Sequence, residues 1–293
     1  MKRFSRVYIE ISNICNLQCD FCPEVERSNQ IMGRELFSNL LAQVKDLTEE
    51  VTFHLMGEPL AHPQFSEFSK LAGECGVPVN LTTNGTLIQK RDNADVLLGP
   101  MFRQVNFSLQ SFFSNQIGQN VLDYFAPIMA WTQRALKERP DLYINYRFWN
   151  DGTPQTLLER ETFYAPIEKE FAVQINRQVD VAFNKSKNLV GRLYLHFDSR
   201  FEWPHQSTAE PRQKGTCHGL RSHFAIQADG TVVPCCLDKE AQLVLGQVGP
   251  NAQSILQVLN SPRAVKMRQG FERHELVESL CQKCSYIHRF KSI

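Results

Sequence analysis

Along the chain, short apolar runs with partial alternation are separated by stretches in which apolar residues recur every three or four positions. Residues 7–12 (VYIEIS), 51–56 (VTFHLM), 77–84 (VPVNLTTN), 104–111 (QVNFSLQS), 142–149 (LYINYRFW) and 192–197 (RLYLHF) have the length and the branched or aromatic content of strands. Between them, 34–47 puts Leu36, Phe37, Leu40, Leu41, Val44 and Leu47 on one helical face, and 65–75 reads as a helix stopped by Gly76. The segment 119–138 reads as a long helix in which Pro127 marks a kink or a boundary, and that around 154–172 as another helix. Strands alternating with helices pair in parallel through crossovers, so this part predicts an α/β sheet. Six such units fall short of a closed eight-stranded barrel, which predicts an open, curved partial (β/α)6 barrel.

From about residue 204 the pattern changes. Residues 204–216 (PHQSTAEPRQKGT) have the composition of a linker, and SHFAIQADGTVVPCC predicts a hairpin turning at Asp229-Gly230. A helical piece interrupted by Pro262 follows, then Cys281-x2-Cys284. The expected division is 1–203 for the barrel and 204–293 for a linker and a small C-terminal domain. A segment of about 80 residues is marginal by itself and calls for a staple.

Composition narrows the functions. A formal net charge of +1 on 293 residues gives no global electrostatic case for a nucleic-acid or membrane partner. The start lacks the apolar run of a signal peptide and no long apolar stretch follows, so a cytoplasmic protein is expected. That compartment keeps thiols reduced, so nine cysteines point away from disulfides. They fall into two groups, 15, 19, 22 and 217, 235, 236, 281, 284, which suggests two metal sites; Cys75 stands alone and reads as a small buried hydrophobe.

The stretch CNLQCDFCP lies at the carboxyl end of the first strand, where sheets of this kind carry their sites, as do Met56-Gly57-Glu58-Pro59 and the TTNG run ending in Asn84 and Gly85. Iron–sulfur cubanes take one cysteine per iron, so three thiols from one loop leave an iron open to a substrate or cofactor. A zinc site completed by His54 or His62 is the alternative.

The motif Cys15-x3-Cys19-x2-Cys22, with Phe21 before its last cysteine, resembles the signature of the radical S-adenosylmethionine superfamily. Met56-Gly57-Glu58-Pro59 resembles its GGE-type motif with Met for the first Gly, and the repeating units resemble its partial barrel. The resemblance implies a [4Fe–4S] cluster on Cys15, Cys19 and Cys22, with S-adenosylmethionine chelating the free iron. An electron from the cluster would cleave the sulfonium, and the resulting 5′-deoxyadenosyl radical would abstract a hydrogen atom from substrate. It further implies that Gly57 and Glu58 hold the methionine amino group through their backbone, with Phe21 beside the cofactor. Ser108 or Gln110, placed on one face by strand alternation, would reach the ribose, with Asn84 as a further candidate.

Cys217-x12-Gly230-x4-Cys235, followed by Cys281-x2-Cys284, resembles the SPASM extension in its truncated (twitch) form. That implies one auxiliary [4Fe–4S] cluster on Cys217, Cys235, Cys281 and Cys284, with Cys236 able to replace Cys235; structural zinc is the competing reading. Near the ends of the last strands, Arg147, Asn150, His196, Asp198, Arg200 and Glu202 face the expected mouth. If the last strand continues, His196, Asp198 and Arg200 share a face, and one of them would act as catalytic base toward a substrate radical.

The expected function is oxidation of a small hydroxylated metabolite, such as a sugar or aminocyclitol, with the auxiliary cluster taking the second electron. The chain begins almost at its first strand, with no N-terminal peptide-recognition domain, which favours the small molecule over maturation of a ribosomal peptide by epimerisation or cross-linking. The electron donor would be a flavodoxin or ferredoxin. The alternative from another class is a non-catalytic zinc-binding protein.

Overall fold

The computed structural model describes residues 4–115, 120–149, 153–177 and 185–290. Strands β1 (Arg6–Ile9), β2 (Val51–Thr52), β3 (Val79–Thr83), β4 (Phe102–Ser108) and β5 (Tyr143–Trp149) pair in parallel in chain order. β5 then pairs in parallel with β7 (Leu193–Asp198), completing the six expected parallel strands. Alternation sorts their two faces. Val7, Ile9, Val105, Phe107, Leu193 and Leu195 are fully or almost fully buried on the helix side. Tyr8, Asn106, Asn145, Arg147 and His196 line a cavity on the other. Since β1 and β7 both reach that cavity without pairing to each other, the sheet curves into an open partial barrel, as expected.

The helix face of α1 (Arg34–Val44) buries Phe37, Leu40, Leu41 and Val44, with Phe37 stacked on Phe68 of α2 (Phe65–Glu74) at 4.1 Å. Gly76, at φ +68°, lets the chain leave α2 where an L side chain would be strained. Short helices α3 (Asn93–Val96) and α4 (Ser111–Ser114) flank β4. α5 (Val121–Glu138) is capped by the Asn120 side chain and continues past Pro127, which is therefore no boundary. α6 (Pro154–Phe171) starts with proline at its first position behind the Thr153 cap.

The structure adds an element to the sequence reading and joins two others. β6 (Ser186–Val190) is an antiparallel edge strand on β7, turned by Gly191 at φ +53°. Its SKNLV sequence alternates between exposed and half-buried and carries no apolar stripe to read. The C-terminal hairpin is β8 (His223–Ile226) and β9 (Thr231–Val233), with β10 (Gly246–Gln247) beside β9. β8 lies parallel to β1, from Arg6↔His223 to Ile9↔Ile226, so one ten-stranded sheet crosses the expected domain division. Pro262 opens α8 (Pro262–Glu272) behind the Ser261 cap, separating it from α7 (Ile255–Leu259). α9 (Ser279–Lys283) ends the regular helices. Among the described residues no helix is long and apolar enough to cross a membrane.

Candidate functional site

The first cysteine loop is closed at its neck. Asn13 N–H donates to Gln30 O (3.2 Å), Met32 N–H to Ile11 O (2.8 Å), and the Asn13 amide to Ser28 O (2.8 Å). Beneath the loop, the fully buried Glu10 carboxylate accepts from the Arg27 guanidinium (3.0 Å), the Met56 N–H (3.2 Å) and the Ala228 N–H (3.3 Å). One carboxylate thus fixes β1, the loop exit, the Met56-Gly57 turn and the C-terminal hairpin. Burial pushes its carboxyl pKa up, and the Arg27 bonds pull against that.

Cys15, Cys19 and Cys22 edge a cleft of about 370 Å³, and Phe21, Gly57, Glu58, Asn84 and Ser108 line it too. Gly57 has φ +79°, and a Cβ there would overlap the Ser12 carbonyl oxygen, so the turn presses on the strand that launches the loop. The Glu58 side chain is fully engaged: it accepts from Leu60 N–H (3.0 Å), Thr83 Oγ1 (2.7 Å) and Asn84 N–H (2.7 Å). It ties the turn to the end of β3 and leaves only backbone for a ligand. Phe21 packs edge-on against Trp149 (5.2 Å), and its carbonyl accepts from Trp203 Nε1 (3.0 Å).

Gln110 departs from the expected pattern. β4 ends at Ser108 and Gln110 is already helical (φ −58°, ψ −20°), so alternation no longer places the two together. Gln110 does not line the cleft; Ser111 does. A residue the sequence gave no sign of is Asn115, whose amide donates to Cys19 Sγ (3.0 Å). The Asn84 amide lies 3.9 Å from Cys15 Sγ, and Leu17 N–H donates to the same sulfur (3.5 Å). Amide donors aimed at sulfur suit thiolate ligands of an iron–sulfur cluster. Burial pushes the Cys19 thiol up to about 11 and Cys22 to about 12, so metal binding there would release protons.

His54 and Thr82 belong both to the cleft wall and to the wall of the barrel lumen, a cavity of about 590 Å³. The cleft and the lumen therefore adjoin at these two side chains. His54 has its Nδ1 buried without a partner, and burial, then the charge of Arg147, lowers its pKa to about 3. His196 and Asp198 face the lumen together as expected. Ser186 Oγ lies 2.8 Å from His196 Nδ1, and Arg289 donates to Asp198 (2.9 Å). Arg200 does not join them: β7 ends at Asp198, and Arg200 pairs with Asp20 of the cysteine loop at 3.6 Å. The Glu202 carboxylate accepts from Ser207 (2.8 Å) instead of lining the lumen. Asn150 lies outside the described residues.

The second cysteine group is assembled from distant segments. Cys217 precedes β8, Cys235 follows β9, Cys281 lies in α9 and Cys284 just beyond it. Gly219 N–H donates to Cys217 Sγ (3.4 Å), and a Cβ at Gly219 would crowd the Pro234 carbonyl oxygen beside Cys235. Burial raises all four thiol pKa values. Mutual charge adds to this, linking Cys235 to Cys217 and Cys281, and Cys284 to Cys217. The Cys236 thiol turns to the Tyr8 hydroxyl, a lumen group. Among the described residues no three His, Cys, Asp or Glu side chains converge as a single metal ion needs. His62 is occupied, with Nε2 3.3 Å from Met32 O and Nδ1 accepting from Gln64 N–H. Cys75 caps α2, half-buried against the main core. A small apolar cluster of Leu55, Met56, Ala225 and Val233 has Cys22 from the first group and Cys236 from the second packed against it.

Comparison with known proteins matches the radical SAM superfamily over residues 9–143 and SPASM, an iron–sulfur cluster-binding domain, over residues 217–285. The tungsten-containing aldehyde ferredoxin oxidoreductase cofactor-modifying protein of Pyrococcus furiosus is 31% identical over 86 residues, 28% of this chain and 24% of that protein. The match thus spans less than two thirds of that relative. Among solved structures, BtrN in complex with AdoMet and 2-DOIA has a TM-score of 0.61 at 16% identity, covering 97% of this chain and 94% of that one. Streptococcus suis SuiB bound to precursor peptide SuiA has a TM-score of 0.62 at 14% identity, covering 98% and 71%.

Proposed function

Because the chain belongs to the radical SAM superfamily and carries a SPASM cluster-binding domain, we propose that it is an oxidoreductase acting on a small hydroxylated metabolite held in the barrel lumen. Its cofactors are iron–sulfur clusters and S-adenosylmethionine. The observation that carries the reading is the shared wall of His54 and Thr82, at which the cleft edged by three thiols adjoins the lumen.

In this reading Cys15, Cys19 and Cys22 hold one [4Fe–4S] cluster, and Cys217, Cys235, Cys281 and Cys284 hold an auxiliary one. When bound, the first cluster and S-adenosylmethionine supply one-electron sulfonium cleavage and hydrogen abstraction, the auxiliary cluster a second electron's exit. The protein supplies position. Glu58 N–H is spent on Ile14 O (3.0 Å), so carbonyl oxygens of the turn are what an ammonium group would meet. Ser108 is the hydroxyl assigned to the ribose. Asn84 and Asn115 orient the sulfurs of Cys15 and Cys19.

Asp198 is engaged by Arg289, whereas burial keeps the His196 imidazole neutral. In the tautomer whose Nδ1–H donates to Ser186 Oγ, His196 has Nε2 left to accept the substrate proton. The reading takes residues 1–203 as the catalytic barrel and 204–293 as linker and cluster extension, with a flavodoxin or ferredoxin as reductant. Anaerobic purification tests it. A brown protein absorbing near roughly 400 nm that converts S-adenosylmethionine to 5′-deoxyadenosine and methionine is expected. A colourless protein carrying zinc overturns it.

A further inference from the structure

The lumen floor and the lumen wall differ in how much hydrogen bonding they have left. On the floor, Asn145 donates to Asn106 (2.8 Å), Asn106 to Asn80 (2.8 Å), and Asn80 to Glu50 (3.1 Å), so these amides largely satisfy one another. The wall holds Arg147 in the row Ser108–Arg147–His196, one strand from the cleft-lining Ser108. Among the described residues Arg147 makes no ion pair and no hydrogen bond, although it carries five donors. Around it stand two neutral imidazoles, His54 with an orphaned ring nitrogen and His196, the Tyr8 and Tyr286 hydroxyls, and the Asp198 carboxylate, which acts on it through space without pairing.

The ionic balance is uneven. Glu50 is shared by Arg6 and Arg103, and Asp198 by Arg289 and Lys185. The carboxylates around the lumen are thus already claimed, and Arg147 is the cation left over. Burial lowers its pKa, and the charge of Asp198 pulls the other way.

We propose that the substrate carries an anionic group, a carboxylate or a phosphate, bound by Arg147 with His54 and His196 as flanking groups. This rests on the function proposed above and narrows it: a small hydroxylated acid or phosphate ester fits, and a cationic amine is repelled. A guanidinium suits both anions because its fork donates two parallel bonds to either.

The test is calorimetric titration of the full-length, cluster-loaded protein with four probes: gluconate, glucose 6-phosphate, myo-inositol and glucosamine. At least one anion is expected to bind about tenfold or more tightly than both other probes, and to weaken with added salt. The tighter anion tells carboxylate from phosphate. Arg147→Gln is expected to lose that preference about tenfold, and Arg147→Lys to keep part of it. Equal or better binding of inositol or glucosamine overturns the inference, as does failure of every probe to bind, salt-independent binding, or an Arg147→Gln variant with unchanged preference. Loss of S-adenosylmethionine binding in Arg147→Gln with anion binding intact would also overturn it, assigning the arginine to the cofactor. A wild-type protein without cluster absorbance would instead sink the cluster reading, while the probe comparison still reads the lumen.

Discussion

The two cysteine groups follow opposite plans. The first comes from one loop, Cys15 to Cys22, with Cys15 exposed and all three thiols on an open cleft. The second is gathered from a strand entry, a strand exit and a helix more than 60 residues apart in chain, and burial dominates its thiols. A loop that can offer three ligands leaves room for a fourth from outside. In the proposed reading a ring closed by four ligands has no such room, and it would staple segments together and carry charge. The regions are nonetheless mechanically joined, since Glu240 accepts the backbone N–H groups of Glu26 and Arg27, and Lys239 donates to Glu24 O (2.7 Å).

The sharpest way to separate the two plans is to remove one ligand from each. Cys22→Ala is expected to abolish 5′-deoxyadenosine formation, by about a hundredfold or more, with about half the iron lost. Cys284→Ala is expected to lose a similar share of iron while still cleaving S-adenosylmethionine. Iron analysis and product chromatography read both, and loss of cleavage in Cys284→Ala would show that the groups do not work independently.

The joint between them is the next target. Glu10→Ala leaves Arg27 without its buried partner, so chemical denaturation should report a loss of about 3–5 kcal/mol. A change below about 1 kcal/mol would mean the carboxylate is not the anchor its three partners suggest.

Gly57→Ala probes the open plan alone. Positive φ and the overlap with Ser12 predict a cost of about 1–3 kcal/mol and weaker S-adenosylmethionine binding, with the iron of the second group unchanged. Unchanged cofactor affinity in a folded variant would remove the turn from the binding site.

Acid should act on both regions and more gently. Burial lowers His54, beside the cleft, to about 3, and His223, in the hairpin strand, to about 4. Both lie below the unfolded value of about 6.5, so the unfolded chain binds more protons below that pH. Stability should therefore be full above it and fall as the pH drops toward 4 and then 3. His54→Gln and His223→Gln should flatten that fall in urea midpoints measured across the range. An acid limb as steep as wild type in both variants would rule these residues out as its cause.

Much of the fold was legible because period-two runs and helical stripes report which face of a local element is buried. The six parallel strands, α1, α2, α5 and α6 follow from that alone. β6 was not legible, since an exposed edge strand needs no apolar face. The same holds within the site. Gly57 and Asn84 stand in short motifs at strand ends, where backbone geometry limits the residue type. Asn115 carries no local mark, and for His54 and Arg147 the strand position was readable but not who faces them across a cavity.

Sequence alone determined the alternation of strands and helices, the run of three thiols and the order of the remaining cysteines, all written in spacing over a few residues. Tertiary structure alone decided that β8 docks on β1, that Cys217 and Cys235 end up at the two ends of one hairpin, and that Gln110 and Arg200 leave the positions parity assigned them. Periodicity fixes direction only while a strand lasts, and partners 200 residues apart are chosen by which sheet edge is free to be covered.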